Sequence, residues 1–194
     1  MAYEGNETKS VQVTFILKKN TCPPVQLNNK QLTQTEEVKY LGLHLDRKLT
    51  WHKHISAKRK QLDLELRKLY WITGCKSQLP LVKKLLVYKA ILKTIWTFGL
   101  RMWGSASNSN LEILQRFQSK VLRIIKDATW YVPNAVIKRD LKVLSVRQEL
   151  RNYSVTYRQR FDDHPNSLAK SLFQRTHCSR RLKRYYPADL TTGF

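Results

Sequence analysis

Three histidines and an aspartate crowd a short stretch of this chain: His44, Asp46, His52 and His54. Side chains of these types hold transition metals, and a His-x-His pair suits zinc or a nuclease metal. The spacing works against that use, because two histidines two apart on a helix point in different directions and would need a loop to share an ion. Serine, histidine and aspartate are all present, yet no glycine pattern of a nucleophile elbow accompanies them. No glycine-rich loop that could cradle phosphates is present either. Cys22, Cys75 and Cys178 are odd in number and far apart, so they frame neither a disulfide scaffold nor a zinc pattern. They read as reduced thiols in an intracellular protein of the nucleus or cytoplasm.

What remains is electrostatic chemistry. The chain carries 36 Lys and Arg against 14 Asp and Glu, a formal charge of +22. Such a chain repels itself unless a polyanion neutralises it, so nucleic acid is the first partner expected and an anionic membrane surface the second. No apolar run is long enough to span a bilayer, and the basic helices lack a lipid-seeking face. The N-terminus, Met1-Ala2-Tyr3-Glu4, has no secretory character. Lys53, Lys60 and Arg67 recur every seven residues, opposite an Ile55, Leu62, Leu66 stripe, and should look outward together. Arg116, Lys120, Arg123 and Lys126 line the side of a later helix opposite its own apolar stripe. Between Lys170 and Arg184 six basic residues occur with no acidic one. One such stripe is an ordinary solvated face, but several on so basic a chain point to phosphate contacts. Aromatic residues could add stacking platforms for bases. Trp96, Trp103, Tyr153 and Tyr157 sit at core spacing and read as packing.

These residues need elements to position them. At 194 residues the chain can bury about 70% of its unfolded surface, enough for a real core. Val11, Val13, Phe15 and Leu17 alternate as in a half-buried strand. Asn28-Asn29 between Val25-Gln26-Leu27 and Lys30-Gln31-Leu32 predicts a tight hairpin, since asparagine tolerates positive φ. Val38 to Leu45 reads as one strand bent at Gly42. The period then turns helical: a stripe from Ile55 to Thr73 capped by Gly74, and a run opened by Pro80 through Leu81, Leu85, Tyr88, Leu92, Ile95, Gly99 and Trp103. A helix follows from a Ser109 to Glu112 capping box, with Leu111, Leu114, Phe117, Val121 and Ile125 inward. A short helix starts at Pro133 and reaches about Leu141. A last long helix opens on a Ser145 to Gln148 capping box, with Val146, Leu150, Tyr153, Tyr157 and Phe161 inward. A further short helix is expected around Leu168 to Phe173, then a basic tail. A β segment followed by a block of helices is an α+β chain.

Several short motifs occur in a specific order: Asn6-Glu7-Thr8-Lys9-Ser10, Val38-Lys39-Tyr40-Leu41-Gly42-Leu43-His44-Leu45-Asp46, Leu49-Thr50-Trp51-His52-Lys53-His54-Ile55, Tyr88-Lys89-Ala90-Ile91-Leu92-Lys93, Trp103-Gly104, Leu114-Gln115-Arg116-Phe117-Gln118-Ser119-Lys120 and Trp130-Tyr131-Val132-Pro133-Asn134. Together they resemble the C-terminal part of the reverse transcriptase, or RNA-directed DNA polymerase, of non-LTR retrotransposons of the jockey-like kind. The resemblance covers nearly the whole chain. It implies that Lys9 closes the palm near the outgoing pyrophosphate. It implies that Tyr40, Leu41 and Gly42 belong to the primer grip, a β-hairpin holding the 3′ end of the growing strand, and that the helices form a thumb clamping template–primer duplex by its backbone.

The domains expected from it are a palm remnant with primer-grip strands over 1–46 and a thumb-like bundle over 47–130. A C-terminal helical extension over 131–175 and a flexible basic tail over 176–194 complete them. The nucleic-acid-binding residues expected are Lys9, Tyr40, Leu41, Gly42, Lys53, Lys60, Arg67, Arg116, Lys120 and Arg123, with RNA–DNA hybrid, duplex template–primer or RNA as partner. Polymerase chemistry needs carboxylates that hold two Mg²⁺ ions. The family carries these in the palm, upstream of these motifs, so no catalytic residue, metal or other cofactor is expected in this chain, and alone it should not polymerise. The missing palm would be a structural partner. Phe161-Asp162-Asp163 is not the family's aromatic-x-Asp-Asp turn: the aromatic is displaced by one position, the order is wrong and the setting is a helix end before Pro165. A reading from a different class is a stand-alone basic RNA- or DNA-binding protein derived from such an element.

Overall fold

The structure, a computed structural model, describes residues 10–15 and 22–168. The chain divides into two compact units, Met1–His54 and Ile55–Phe194. Lys9, the basic tail, and all but the first residue of the helix expected around Leu168 to Phe173 lie outside the described residues.

Among its described residues the first unit is a set of short strand pairs. They are β1 (Val11–Gln12), β2 (Gln26–Leu27), β3 (Lys30–Gln31), β4 (Thr33–Gln34), β5 (Glu37–Tyr40) and β6 (Leu43–Asp46). β2 and β3 pair antiparallel with Leu27 opposite Lys30. Asn28 and Asn29 make the two-residue turn between them at φ of 51° and 60°, the left-handed conformation such hairpins require. β1 instead pairs parallel with β4, Val11 opposite Thr33.

The alternation read from Val11 to Leu17 is not realised in the described part. Val11 and Phe15 are 45% and 51% exposed, because a two-residue pair has no sheet face to cover them. Gln12 turns inward instead, accepting from the Val25 N–H at 2.9 Å and donating to the Pro23 carbonyl at 3.3 Å. The segment Val38 to Leu45 is also not one bent strand. It reverses completely, with Tyr40 opposite Leu43 and Glu37 opposite Asp46. The intervening Leu41 and Gly42 take φ of 47° and 78°.

The helices are α1 (His52–Thr73), α2 (Leu81–Val87), α3 (Lys93–Thr97), α4 (Leu100–Trp103), α5 (Asn108–Lys126), α6 (Asn134–Asp140) and α7 (Val146–Asp162). In the second unit Leu62 and Leu66 of α1 are buried, as are Leu111, Leu114, Phe117, Val121 and Ile125 of α5, as their spacing predicts. Gly74 follows α1 as expected. Its role is close approach rather than a left-handed turn, since an added Cβ would lie 2.7 Å from the Tyr70 carbonyl oxygen. The buried Lys84 of α2 donates to the Gly74 carbonyl at 2.8 Å, placing a cation at the negative end of α1.

The long run expected from Leu81 to Trp103 is broken twice. Tyr88–Leu92 forms a π turn between α2 and α3, and Gly99 at φ 66° separates α3 from α4. The buried positions are Lys84, Tyr88, Leu92, Trp96, Leu100 and Trp103, while Leu81 is 43% exposed. A spacing of four would drift around a regular helix; the wider π turn unwinds that drift and keeps these side chains on one face.

Two more readings need correction. α5 starts after Ser107, not Ser109; the two hydroxyls meet at 3.0 Å and the expected capping box does not form. Tyr153 is 37% exposed. Tyr157 is half-buried, with the Arg101 guanidinium 4.0 Å above its ring. Trp96 and Trp103 are buried as read. Pro133 stands one residue before α6. The Ser145–Gln148 box is complete, with Ser145 accepting from the Gln148 N–H and the Gln148 side chain accepting from the Ser145 N–H. Asp162 and Asp163 lie exposed at the end of α7.

Candidate nucleic-acid interface

The Tyr40-Leu41-Gly42 triplet forms the tip of the β5–β6 hairpin. Tyr40 is 62% exposed and Leu41 74% exposed. An apolar side chain so open is held there by its turn: both central residues are left-handed, so the backbone reverses at once and the side chains cannot fold back onto the strands. Lys53, in the first turn of α1, is exposed and paired with Glu37 of the same hairpin.

β6 leads into α1 through a turn with Leu49 and Trp51 at φ of 49° and 62°. Asp46 stabilises it. Its carboxylate accepts from the Thr50 N–H at 2.9 Å and the Trp51 N–H at 3.0 Å. Partial burial pushes its pKa up, but the hydrogen bonds from Thr50 and Trp51 outweigh this and hold it below the usual 3.8. A depressed carboxyl stabilises the fold above its unfolded pKa and loses that contribution as pH falls through the folded value. Asp46→Asn is therefore expected to destabilise the chain by about 1 kcal/mol at pH 7. The deficit should shrink as the pH falls below the ordinary carboxylate range, in urea melts run at neutral and acid pH.

The histidine cluster is explained locally. The buried His54 accepts at Nδ1 from the His44 backbone N–H at 3.4 Å. The Trp51 ring stands edge-on to His54 at 6.3 Å between centroids. His52 is exposed. Among the described residues no three His, Cys, Asp or Glu side chains are grouped as metal ligands.

In the second unit Lys60 and Arg67 are exposed on α1. Arg59, one position from Lys60, is spent on structure: it pairs with Asp63 and lies 4.7 Å from the centre of the Phe117 ring. On α5 the structure brings Arg116, Lys120 and Arg123 to the wall of one open groove of about 550 Å³. Glu112, Gln115, Ser119 and Ile124 complete the α5 side; Asn134 and Lys138 of α6 form the other. Lys60 and Arg67 do not line it.

The basic residues of this helix divide by role. Lys126 is paired with Asp140 of α6. Arg123 lines the groove but also donates to the loop before α6, to the carbonyls of Thr129 and of Val132 (2.8 Å) and to Asn134 Oδ1 (2.9 Å). Lys120 and Arg116 are exposed. Burial holds the Lys138 ammonium below its ordinary pKa, with Glu112 acting in the opposite sense. Sequence periodicity missed Lys138 and Asn134, since α6 is too short to show a stripe. The one available signal was that Lys138 follows Ile137, the residue that anchors α6 in the core.

The basic helix faces and the basic groove are each suited to polyanions. No family model and no solved structure matches the chain. Protein sequences do match. The chain is homologous to a segment of the RNA-directed DNA polymerases of non-LTR retrotransposons of the jockey and X-element kind. It is 40% identical over 187 residues to the probable RNA-directed DNA polymerase from transposon X-element of Drosophila melanogaster, covering 96% of this chain and 20% of that protein. It is 37% identical over 193 residues to the RNA-directed DNA polymerase from mobile element jockey of the same species, covering 95% and 21%. The jockey polymerase of Drosophila funebris is 35% identical over the same length. The chain thus spans about a fifth of the length of the curated relatives it matches.

Proposed function

We propose that this chain is the primer-grip and thumb portion of a retrotransposon RNA-directed DNA polymerase, holding template–primer duplex by its backbone. Residues 1–46 would be the palm edge and primer grip, 47–130 the thumb, 131–175 a helical extension and 176–194 a basic tail. The observation that carries this reading is the hairpin tip. Tyr40, Leu41 and Gly42, the triplet that the resemblance assigns to the primer grip, stand exposed on a two-residue turn. A tip of this kind lets backbone and ring approach a sugar–phosphate chain closely. Exposed Lys60 and Arg67 supply phosphate contacts along α1, and Lys9 a further one.

The chain would carry no polymerase chemistry of its own. The Mg²⁺ ions and their carboxylates would belong to the palm of a complete polymerase, its structural partner. The test is binding to a labelled RNA–DNA hybrid beside matched duplex DNA over a salt series. Tight binding that favours the hybrid and falls steeply with salt is expected. Lys60→Ala with Arg67→Ala should lower the salt slope by about 2, one for each phosphate that is no longer neutralised. Unchanged slope in that variant, or robust dNTP incorporation by the purified chain, would overturn the reading. Equal binding to every polyanion would favour the alternative, a stand-alone basic nucleic-acid-binding protein.

A further inference from the structure

The loop between α5 and α6 presents two neighbouring aromatic side chains to solvent. Trp130 is 89% exposed and Tyr131 69% exposed. Their rings stand edge to face, with centroids 6.0 Å apart and planes at 84°. Leaving an indole this open forgoes a large apolar burial. The loop is nevertheless well held. Arg123 bonds to Thr129, Val132 and Asn134, the residues that bracket the aromatic pair. The Val132 N–H also closes back on the Thr129 carbonyl at 3.2 Å.

Arg123 and Asn134 also line the basic groove, so the loop that carries the aromatic pair adjoins it. The groove wall carries the cations Arg116, Lys120, Arg123 and Lys138 against one carboxylate, Glu112. A protein partner would account for the aromatic pair and the arginines but not for Lys120 and Lys138, since lysine is depleted at protein interfaces. Cations that track a phosphate chain beside open aromatic faces on which bases stack are the two parts of a single-strand site. Duplex does not satisfy both, since paired bases are already covered on each face by their neighbours.

We infer that Trp130, Tyr131 and the groove of Arg116, Lys120 and Lys138 form a binding site for single-stranded nucleic acid, the aromatic pair stacking unpaired bases. Arg123 is the positioning residue that holds the loop in place. The groove does not include Lys60 or Arg67, on which the duplex test rests. Arg116, Lys120 and Arg123 here serve a single strand, in place of the duplex contact expected from the resemblance.

The experiment is a fluorescence titration of the full chain in a Trp71→Phe background. Trp71 is the other exposed tryptophan, at 76%, whereas Trp51, Trp96 and Trp103 are at most 5% exposed. The ligands are oligo(dT), a blunt duplex of equal length, and heparin, which has charge but no bases; each carries a fluorescein label, so that affinities of variants lacking Trp130 are read by anisotropy. Oligo(dT) is expected to quench Trp130 emission. Trp130→Ala with Tyr131→Ala should weaken oligo(dT) about ten- to a hundredfold, leaving heparin and duplex within about twofold. Circular dichroism should be unchanged, because neither side chain is in the core. Arg123→Lys keeps the charge but loses the fork; it should weaken oligo(dT) several-fold at unchanged salt slope.

An aromatic double variant that keeps its oligo(dT) affinity would overturn the proposal. So would an equal loss on all three ligands, or a Trp130 emission maximum that shifts with protein concentration without oligonucleotide, which would mark self-association. Failure of the duplex reading shows instead in the Lys60 and Arg67 variant, so each result is assignable.

Discussion

Gly104→Ala is expected to lower the unfolding free energy of the helical unit by about 3 kcal/mol, at the upper end of overpacking costs. Gly104 follows α4 and is buried where that helix meets α7. A Cβ built there would lie 2.1 Å from Leu150 Cδ1 and 2.5 Å from the Leu100 carbonyl oxygen. Neither neighbour can yield cheaply. Leu150 is fully buried, so a new rotamer would displace other core atoms. The Leu100 carbonyl already accepts the Gly104 N–H at 2.8 Å, so moving it breaks the last turn of α4. The site demands closeness rather than a left-handed conformation, since Gly104 has φ −63°. Urea melts followed by the buried Trp96 and Trp103 should show the loss, with a midpoint temperature lower by roughly 6–12 °C in thermal melts. Leu150→Ala in the Gly104→Ala background should recover part of it by removing the overlapping atoms.

The second large effect is expected at Lys93 and Glu149, an ion pair between α3 and α7. Their side chains are 25% and 10% exposed respectively. Breaking a buried pair costs about 3–5 kcal/mol, chiefly because the partner left behind has lost its water. The asymmetric burial predicts an asymmetric result. Lys93→Met strands the more buried carboxylate and should cost about 3 kcal/mol. Glu149→Gln leaves an ammonium on a flexible stem that can reach solvent, and should cost less. The double variant Lys93→Met with Glu149→Leu should recover most of the loss, since the pair can be replaced by apolar volume. A double-mutant cycle by urea denaturation measures the coupling; additive losses would show that the two residues act separately.

Much of the local structure was legible because it depends on residues a few positions apart. The Asn28-Asn29 turn follows from tolerance of positive φ, and the α5 stripe from the 3.6 period. The Ser145–Gln148 box follows from a hydroxyl and an amide three residues apart. Where a strong local pattern was absent or misleading, the reading failed. Leu41 is not a residue expected at positive φ, so the Val38 to Leu45 hairpin looked like one strand. The stripe of α2 to α4 was misplaced because nothing in its spacing announces a π turn. Tyr153 keeps core spacing on α7 yet remains exposed, as no described element covers that part of the helix face.

The candidate interface divides the same way. Composition and periodicity determined that the chain is basic, α+β and lined with outward-facing cations, and the order of its motifs resembled the polymerases to which it is homologous. Only the tertiary structure decided how those cations are used. Lys126 is drawn to Asp140 and Arg123 to the carbonyls of a loop, while Lys120 and Lys138 line one groove. Trp130 is left open where Trp51, Trp96 and Trp103 are buried. The physical reason is range. Helix period and turn conformation are set by near neighbours along the chain, whereas whether a guanidinium meets a protein acceptor or faces a ligand depends on which distant segment folds beside it.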